Sequence, residues 1–509
     1  MSSGNRPSPF DRPIDRRTLM ATAAALASAG ALQGRASAQD ASQQTGVDPA
    51  KWTPEYIQSI AGTLAVDTAA DVHAIVPADH AGEIDFINAG PTQASPQIDR
   101  DIYAQFFEAW AQLYPGIPLV DGENNQNIDY GTIFDILRTS IEGSAGPSVV
   151  KLPILGGVEF AAKGQVSPVT LEEFGFAAEN FWPGALKSVT WEGQLYGVPT
   201  NNETMAFIYN KKIFADAGLD PESPPKTWAE VAAYSKQIKD TLGTNGYGLI
   251  AKENHGNTPF RFMPVLWAHG SGALDEAEPN PTYQTVMINN EGGVAALQLI
   301  HDMYVRDRSV PTGALTNSQT ENQDLFITEQ IAMVISHPSE FIAMQGKAAS
   351  ASGSDKEKAD QVVANMAYGL MPEGPTRRAV VFGGSNIHIL TDEAHGSTVD
   401  REAAKALVAT LCGPEWSTKF AWTGSNPGHL RGFETEWMKE RLETIKFLNV
   451  TTSMLPYGIP FPVIPESTEI MNLIVPRMIQ NVLTDTMSPK EAADDAAAQI
   501  SELLAIPSA

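Results

Sequence analysis

Apolar residues along this chain recur with two periods, one suited to strands and one to helices. Residues 83–88 read as a strand, and Gly90, Pro91 and Thr92 break it. Ile98, Ile102, Phe106, Trp110 and Leu113 then fall on one helical face, which Pro115 and Gly116 end. Ile133, Leu137 and Ile141 mark another helix, and residues 147–152 form an apolar run that reads as a buried strand. The rhythm returns at residues 204–209, a strand. Thr227 and Glu230 there form a capping box, opening a helix with Val231, Tyr234, Ile238 and Leu242 on one face. Residues 330–335 and 379–390 contain strand-like runs. The polar, low-complexity stretch between them, 348–360, reads as a surface loop. A second capping box, Ser488 with Glu491, opens a last helix striped by Ala492, Ala496, Ile500 and Leu503. Ahead of all this, residues 53–64 predict a short helix in a polar segment. Strands alternating with helices predict an α/β fold with a mainly parallel sheet.

A chain of 509 residues exceeds a single core, so two or more lobes are expected. Lys and Arg number 34 against 60 Asp and Glu, a net charge of −26. That balance lacks the basic footprint of a nucleic-acid binder and disfavours anionic membrane surfaces. The one cysteine, Cys412, rules out an intrachain disulfide and cysteine-based metal sites; its apolar neighbours mark it as a small buried hydrophobe. At the N-terminus, Arg16-Arg17 precede a mild apolar stretch, and Ala36-Ser37-Ala38 has the small-x-small pattern of a cleavage site. Residues 1–38 therefore resemble a twin-arginine signal peptide, although Asp15 departs from the usual pattern and a Sec signal stays open. Cleavage after Ala38 would leave a soluble periplasmic protein with an N-terminal extension over residues 39–82.

The usual catalytic signatures are missing. Phosphate-binding glycine motifs, H-E-x-x-H and G-x-S-x-G are absent, and His269-Gly270-Ser271-Gly272 reads as a turn. No histidine pair has metal-ligand spacing on one helix, so neither metal nor cofactor is expected. Trp182, Trp191, Trp267, Trp416 and Trp422 lie in or beside Gly/Pro-rich segments. Rings so placed can stack on sugar faces or simply pack in the core.

One segment goes beyond composition. Gly193, Tyr196, Gly197 and Pro199 lead through Tyr209-Asn210-Lys211 and Ala217-Gly218-Leu219 to Pro224-Pro225-Lys226-Thr227-Trp228-Ala229-Glu230. This order resembles the central signature of the extracellular solute-binding proteins of carbohydrate-type ABC importers, the maltose-binding-protein group. The resemblance extends from about residue 83 to the end, through Gly270 to Leu274, residues 326–335, the crossover Gly383-Gly384-Ser385 and residues 488–492. It departs at residues 39–82, which have no counterpart, and at Ser336-His337-Pro338-Ser339, where many relatives carry Gly-Pro-Trp.

The resemblance implies a type II periplasmic-binding-protein fold: two α/β lobes joined by about three crossovers, with a ligand cleft between them. Lobe 1 would take residues 83–200 and 386–415, and lobe 2 residues 201–385 and 416–509. It implies a protein that catches a sugar or sugar-like solute by hinge closure and hands it, as a monomer, to ABC permease subunits. Glu203 aligns with a carboxylate that faces sugar in the maltose-binding group; a solvated loop acid is its plain alternative. The candidate ligand-binding set is Thr92, Gln126, Asn202, Glu203, Phe260, Trp267, His337, Gly384, Ser385 and Trp422, each with a packing, turn or capping alternative. An exported glycoside hydrolase or polysaccharide lyase is the rival reading, since abundant Asp and Glu leave a carboxylate pair open. A surface receptor that kept the fold without transport is the third.

Overall fold

The computed structural model describes residues 51–89, 97–128, 132–154 and 156–506. The proposed signal peptide and Thr92 lie outside the described residues. Two sheets organise the rest. The strands are β1 (Phe86–Ala89), β2 (Asn125–Ile128), β3 (Val149–Pro153), β4 (Val198–Glu203), β5 (Ala206–Asn210), β6 (Asn245–Tyr247), β7 (Ile331–Ser336), β8 (Met366–Gly369), β9 (Gly383–Ile389) and β10 (Asn426–Pro427). Six of them order as β10-β4-β9-β3-β1-β2, and four as β8-β5-β7-β6.

The six-stranded sheet buries both faces. Phe86 and Val149 face one apolar cluster with Phe106 and Trp110, while the alternate residues Ile87, Val150 and Leu152 face another with Ile133 and Leu137. The helical stripe predicted from Ile98 to Leu113 holds in its middle, with Leu113 half-buried. Helix α3 (Gln97–Leu113) buries Ile102, Phe106 and Trp110, although Ile98 is exposed. It follows α1 (Pro54–Ile60) and α2 (Thr68–His73). Helix α4 (Ile133–Glu142) covers the other face, and α5 (Pro183–Ser188) packs beside β4. The four-stranded sheet shares its core with α6 (Trp228–Leu242), which the predicted Thr227–Glu230 box caps.

Two expectations are corrected. The sheets are mixed rather than mainly parallel. β1 pairs parallel with β2 and β3, and β6 with β7, but β4, β5, β8, β9 and β10 pair antiparallel. The antiparallel strands are those that carry the chain between the sheets and enter against the local direction. Residues 348–360 are not a loop: α7 (Asn257–Ala268) is followed by α8 (Pro338–Ser350), and a further helix runs from Gly353 to Ala364. Ala348, Ala359 and Val362 are buried, so small apolar residues supply the contact face that the polar composition masked. Beyond β9 come α9 (Arg401–Cys412), α10 (Pro414–Phe420), α11 (Glu436–Thr444) and α12 (Lys446–Ser453). No helix among the described residues is long and apolar enough to cross a membrane.

Candidate functional site

The chain passes between the sheets where polar residues gather. β4 ends at Glu203, and after two intervening residues β5 begins in the other sheet. β9 starts at Gly383 and lies directly against this end of β4, with Gly383 opposite Glu203 and Gly384 opposite Asn202. The approach is close enough to demand glycine. A Cβ on Gly384 would stand 2.1 Å from the Asn201 carbonyl oxygen at a φ of 141°, and one on Gly383 would stand 2.7 Å from Glu203 Cγ. A register shift between Ser385 and Asn386 then restores the pairing.

Glu203 reaches from the six-stranded sheet to the four-stranded one. Its Oε2 lies 3.2 Å from Nε2 of His337, which follows the last residue of β7. The Ser425 hydroxyl, just before β10, donates to the same oxygen at 3.5 Å. His337 is the N-cap of α8, its Nδ1 accepting from the Ser339 N–H at 3.3 Å. Nδ1 is thereby the acceptor nitrogen, and Nε2 is the one that stands beside the Glu203 carboxylate. Burial opposes the charge on Glu203, but His337, Ser425 and Lys151 outweigh it and hold the carboxyl below the usual carboxylate range.

A second tier fixes these groups. Glu340 accepts two hydrogen bonds from Arg261 of α7, at 2.6 and 2.8 Å, and its Oε2 accepts from Ser336 at 3.2 Å and from the His337 N–H at 3.4 Å. The N-terminus of α8 is thus pinned to α7. On the other side, the buried Arg441 donates to the carbonyls of Ala421, Trp422 and Ser425, which sets the loop that presents Ser425. Burial pulls the Arg441 guanidinium down to about 9. Asp99 accepts from the Thr423 hydroxyl at 2.7 Å, and burial raises its carboxyl. Lys151, in β3, is drawn down to about 8 by burial, against the attraction of Cys412, Glu203 and Asp99. It borders a small cavity with Asn88, Tyr103, Thr200 and Asn201.

The sequence-derived candidates divide accordingly. Glu203, His337 and Gly384 meet at the crossing, with Asn202 and Ser385 in the strands that form it. Asn202 is 0 % exposed, and its amide donates to the Pro427 carbonyl at 3.0 Å, so its described bond ties β10 to β4. Ser385 is buried beside Thr200, whose hydroxyl donates to the Ser385 carbonyl. Trp422 is half-buried, its carbonyl held by Arg441 at 3.1 Å. Gln126 is exposed within β2. Phe260 of α7 is half-buried, edge-on to Phe461 at 5.1 Å. Trp267 is a correction: its ring is 0 % exposed in the core, and its indole N–H donates to Glu276 at 3.0 Å. Ser425, Lys151, Asp99 and Arg441 escaped the sequence reading. A lysine inside the apolar run Val149-Val150-Lys151-Leu152 was the available signal for one of them. Among the described residues no group of His, Cys, Asp and Glu could hold a metal ion.

Comparison with known proteins bears on this arrangement. The family described as bacterial extracellular solute-binding protein matches residues 93–417. A protein of Brucella abortus (strain 2308), described only as a binding protein, is 27% identical over 400 residues, covering 77% of this chain and 86% of its own. The sn-glycerol-3-phosphate-binding periplasmic protein UgpB of Shigella flexneri is 34% identical over 165 residues, 30% of this chain and 36% of that protein. Among solved structures, an ABC transporter solute-binding protein of Thermotoga lettingae bound with α-D-tagatose superposes with a TM-score of 0.66 at 22% identity, over 83% of this chain and 100% of that one. UgpB of Mycobacterium tuberculosis in complex with glycerophosphocholine gives 0.64 at 18% identity, over 84% and 99%. At these identities the structures establish the shared fold.

Proposed function

The chain belongs to the bacterial extracellular solute-binding proteins, and from that premise we propose that it captures an uncharged polyhydroxy solute, a sugar or polyol, between its two sheets. The two sheets with their helices act as lobes, and the links after Glu203, before Gly383 and around residue 427 act as the hinge. A solute that touches both lobes only in the closed form shifts the population toward closure. Importer permease subunits receive the loaded form in the periplasm.

The observation that carries the choice of solute is the charge arrangement at the crossing. Glu203 is held ionised and offers a strong acceptor for hydroxyl groups. The neighbouring guanidiniums are already committed. Arg261 serves Glu340 and Arg441 serves three carbonyls, while Lys151 feels the attraction of Glu203 and Asp99 without a described ion pair to either. Residues 90–96 and 129–131, which follow β1 and β2, contain no Lys or Arg. A phosphate-bearing solute would meet the Glu203 carboxylate without a spare guanidinium beside it, and with only the Lys151 ammonium, already drawn to Glu203 and Asp99, to set against the repulsion, which disfavours binding. Nothing at the site favours hydrolysis over binding, and the relatives described above are binding proteins by their descriptions.

The test is a thermal-shift screen of the mature protein against mono- and oligosaccharides, polyols, sn-glycerol 3-phosphate and glycerophosphocholine. A solute at about 100 times its Kd stabilises the fold by about 2.7 kcal/mol. A shift with a neutral saccharide or polyol, recovered unmodified, is expected. A shift confined to the phosphate esters would overturn the neutral-solute reading, and recovery of a cleaved glycoside would overturn the binding role.

A further inference from the structure

The N-terminal segment 52–82 lies outside the span that matches the family, and so do some of its partners, at residues 433–453. It is anchored at two ends. At the first, Trp52 packs its ring against Trp182 (centroids 4.8 Å apart), Phe433 (5.2 Å) and Tyr56 (5.6 Å). Trp182 caps α5 and Phe433 lies in a turn packed on α10, both of the six-stranded half, while helix α1 itself lies on α12, which packs on α8 and β8 of the four-stranded half. At the second end, α2 lies on α9 of the six-stranded half. The Tyr114 hydroxyl, just past α3, bonds the carbonyls of Val72 and Val76 at 3.0 Å each, and His73 Nε2 lies 3.0 Å from the Leu113 carbonyl. Thr68 hydrogen-bonds Glu415 of α10.

Between the two anchors the chain has little slack. The N–H groups of Gly62 and Leu64 donate to the carbonyls of Thr435 (3.1 Å) and Glu434 (2.8 Å). These bonds fasten the connecting residues to the stretch that leaves β10, itself one of the links between the sheets. A rotation of one sheet against the other changes the distance between α12 and α9. The segment must then stretch, slide on α12, or let Trp52 leave its pocket.

We propose that residues 52–82 form a strap across the back of the hinge that restricts the relative rotation of the two halves and so sets how readily the cleft opens and closes. The strap rests on the hinge reading given above, and it adds a fourth connection to the three chain crossings. Its grip is apolar at the Trp52 end and both apolar and hydrogen-bonded at the Tyr114 end, where Val72 and Val76 are buried, so one substitution loosens either end.

The experiment measures the distance between spin labels on the full-length, ligand-free protein by pulsed electron resonance. Val120→Cys, beside β2, and Leu242→Cys, at the end of α6, place one label on each half at exposed positions. The native Cys412 is buried and stays unlabelled. Trp52→Ala is expected to broaden the distance distribution. Tyr114→Phe, which removes the bonds to Val72 and Val76 and leaves the aromatic pocket intact, is expected to broaden it in the same sense. If both variants keep the parental distribution, even with lowered melting temperatures, the segment is only a stabilising clasp and the proposal fails. The hinge reading is judged separately on the parental labelled protein, by comparing its distance with and without the saccharide that raises its melting temperature in the screen. An unchanged distance there sinks the hinge and not the strap's grip.

Discussion

Glu203 combines three properties that few surface carboxylates share. It is half-buried, it is held ionised, and it stands where the two sheets meet. A charged acceptor in that setting contributes about 1.5–3 kcal/mol per bond to a hydroxyl-bearing solute, against about 0.5–1.5 kcal/mol for a neutral one. Glu203→Gln keeps the shape and removes the charge, so the Kd for the solute should rise about 10- to 100-fold by titration calorimetry. The ligand-free melting temperature should stay within about 3 °C, because the residue spans no core contact. Unchanged affinity would remove Glu203 from the site. The linkage has a definite sign. A carboxyl depressed in the folded protein contributes stability above its ordinary titration range, and that contribution is lost as pH falls through the lower folded value. The residue was legible in the sequence through its position between a strand and a family-like motif. Of its partners, His337 was named through the resemblance and Ser425 was not; both lie far away in sequence, and only the pairing of β5 with β7 and of β4 with β10 brings them to Glu203.

At the scale of elements, α8 shows how a helix start is aimed. His337 caps it, Glu340 completes the capping box, and Arg261 of α7 closes on Glu340 with side chains only 2 % and 13 % exposed. An ion pair so buried is costly to break and cheap to replace as a whole. Arg261→Met should therefore destabilise the protein by about 3–5 kcal/mol in denaturant unfolding, because it strands the Glu340 charge. The double variant Arg261→Met, Glu340→Met should recover most of that loss. Failure to recover would mean that Glu340 acts mainly as a cap for Ser336 and His337. The capping boxes at Thr227 and Ser488 were readable in advance, since each depends on four consecutive residues. The Arg261–Glu340 pair was not, because it depends on how α7 and α8 lie together. Trp267 is the converse case. Its place near a glycine-rich turn suggested a stacking ring, whereas the buried Glu276 claims its N–H and also accepts from the Ala273 and Leu274 backbones at 2.8 and 2.6 Å.

The whole molecule carries an acid sensitivity of its own. His388 in β9 is enclosed, with positions 157 and 197 both glycine because a Cβ there would strike its ring, and burial lowers it to about 4. His429 is lowered to about 4 by burial, with Arg431 adding to the effect. Both are neutral in the folded protein and protonate near the ordinary histidine value once unfolded. Their contribution is intact above about pH 6.5 and is lost as pH falls toward 4, because the unfolded chain binds the protons first. The melting temperature should fall steadily over that window, and His388→Gln should make the fall shallower. A slope unchanged by the substitution would assign the acid response to other groups. By itself the sequence determined the two periods of apolar residues, the helix caps, the absence of known catalytic motifs and, through one long motif, the family. Each of these is local or depends on a short ordered run, so neighbours along the chain suffice. The tertiary structure alone decided that β4, β9 and β10 meet antiparallel, that Glu203 faces His337, that Trp267 is core, and that Trp52 clasps Trp182. These depend on sheet register and on helices packing across long stretches of chain, which no local pattern of side chains encodes.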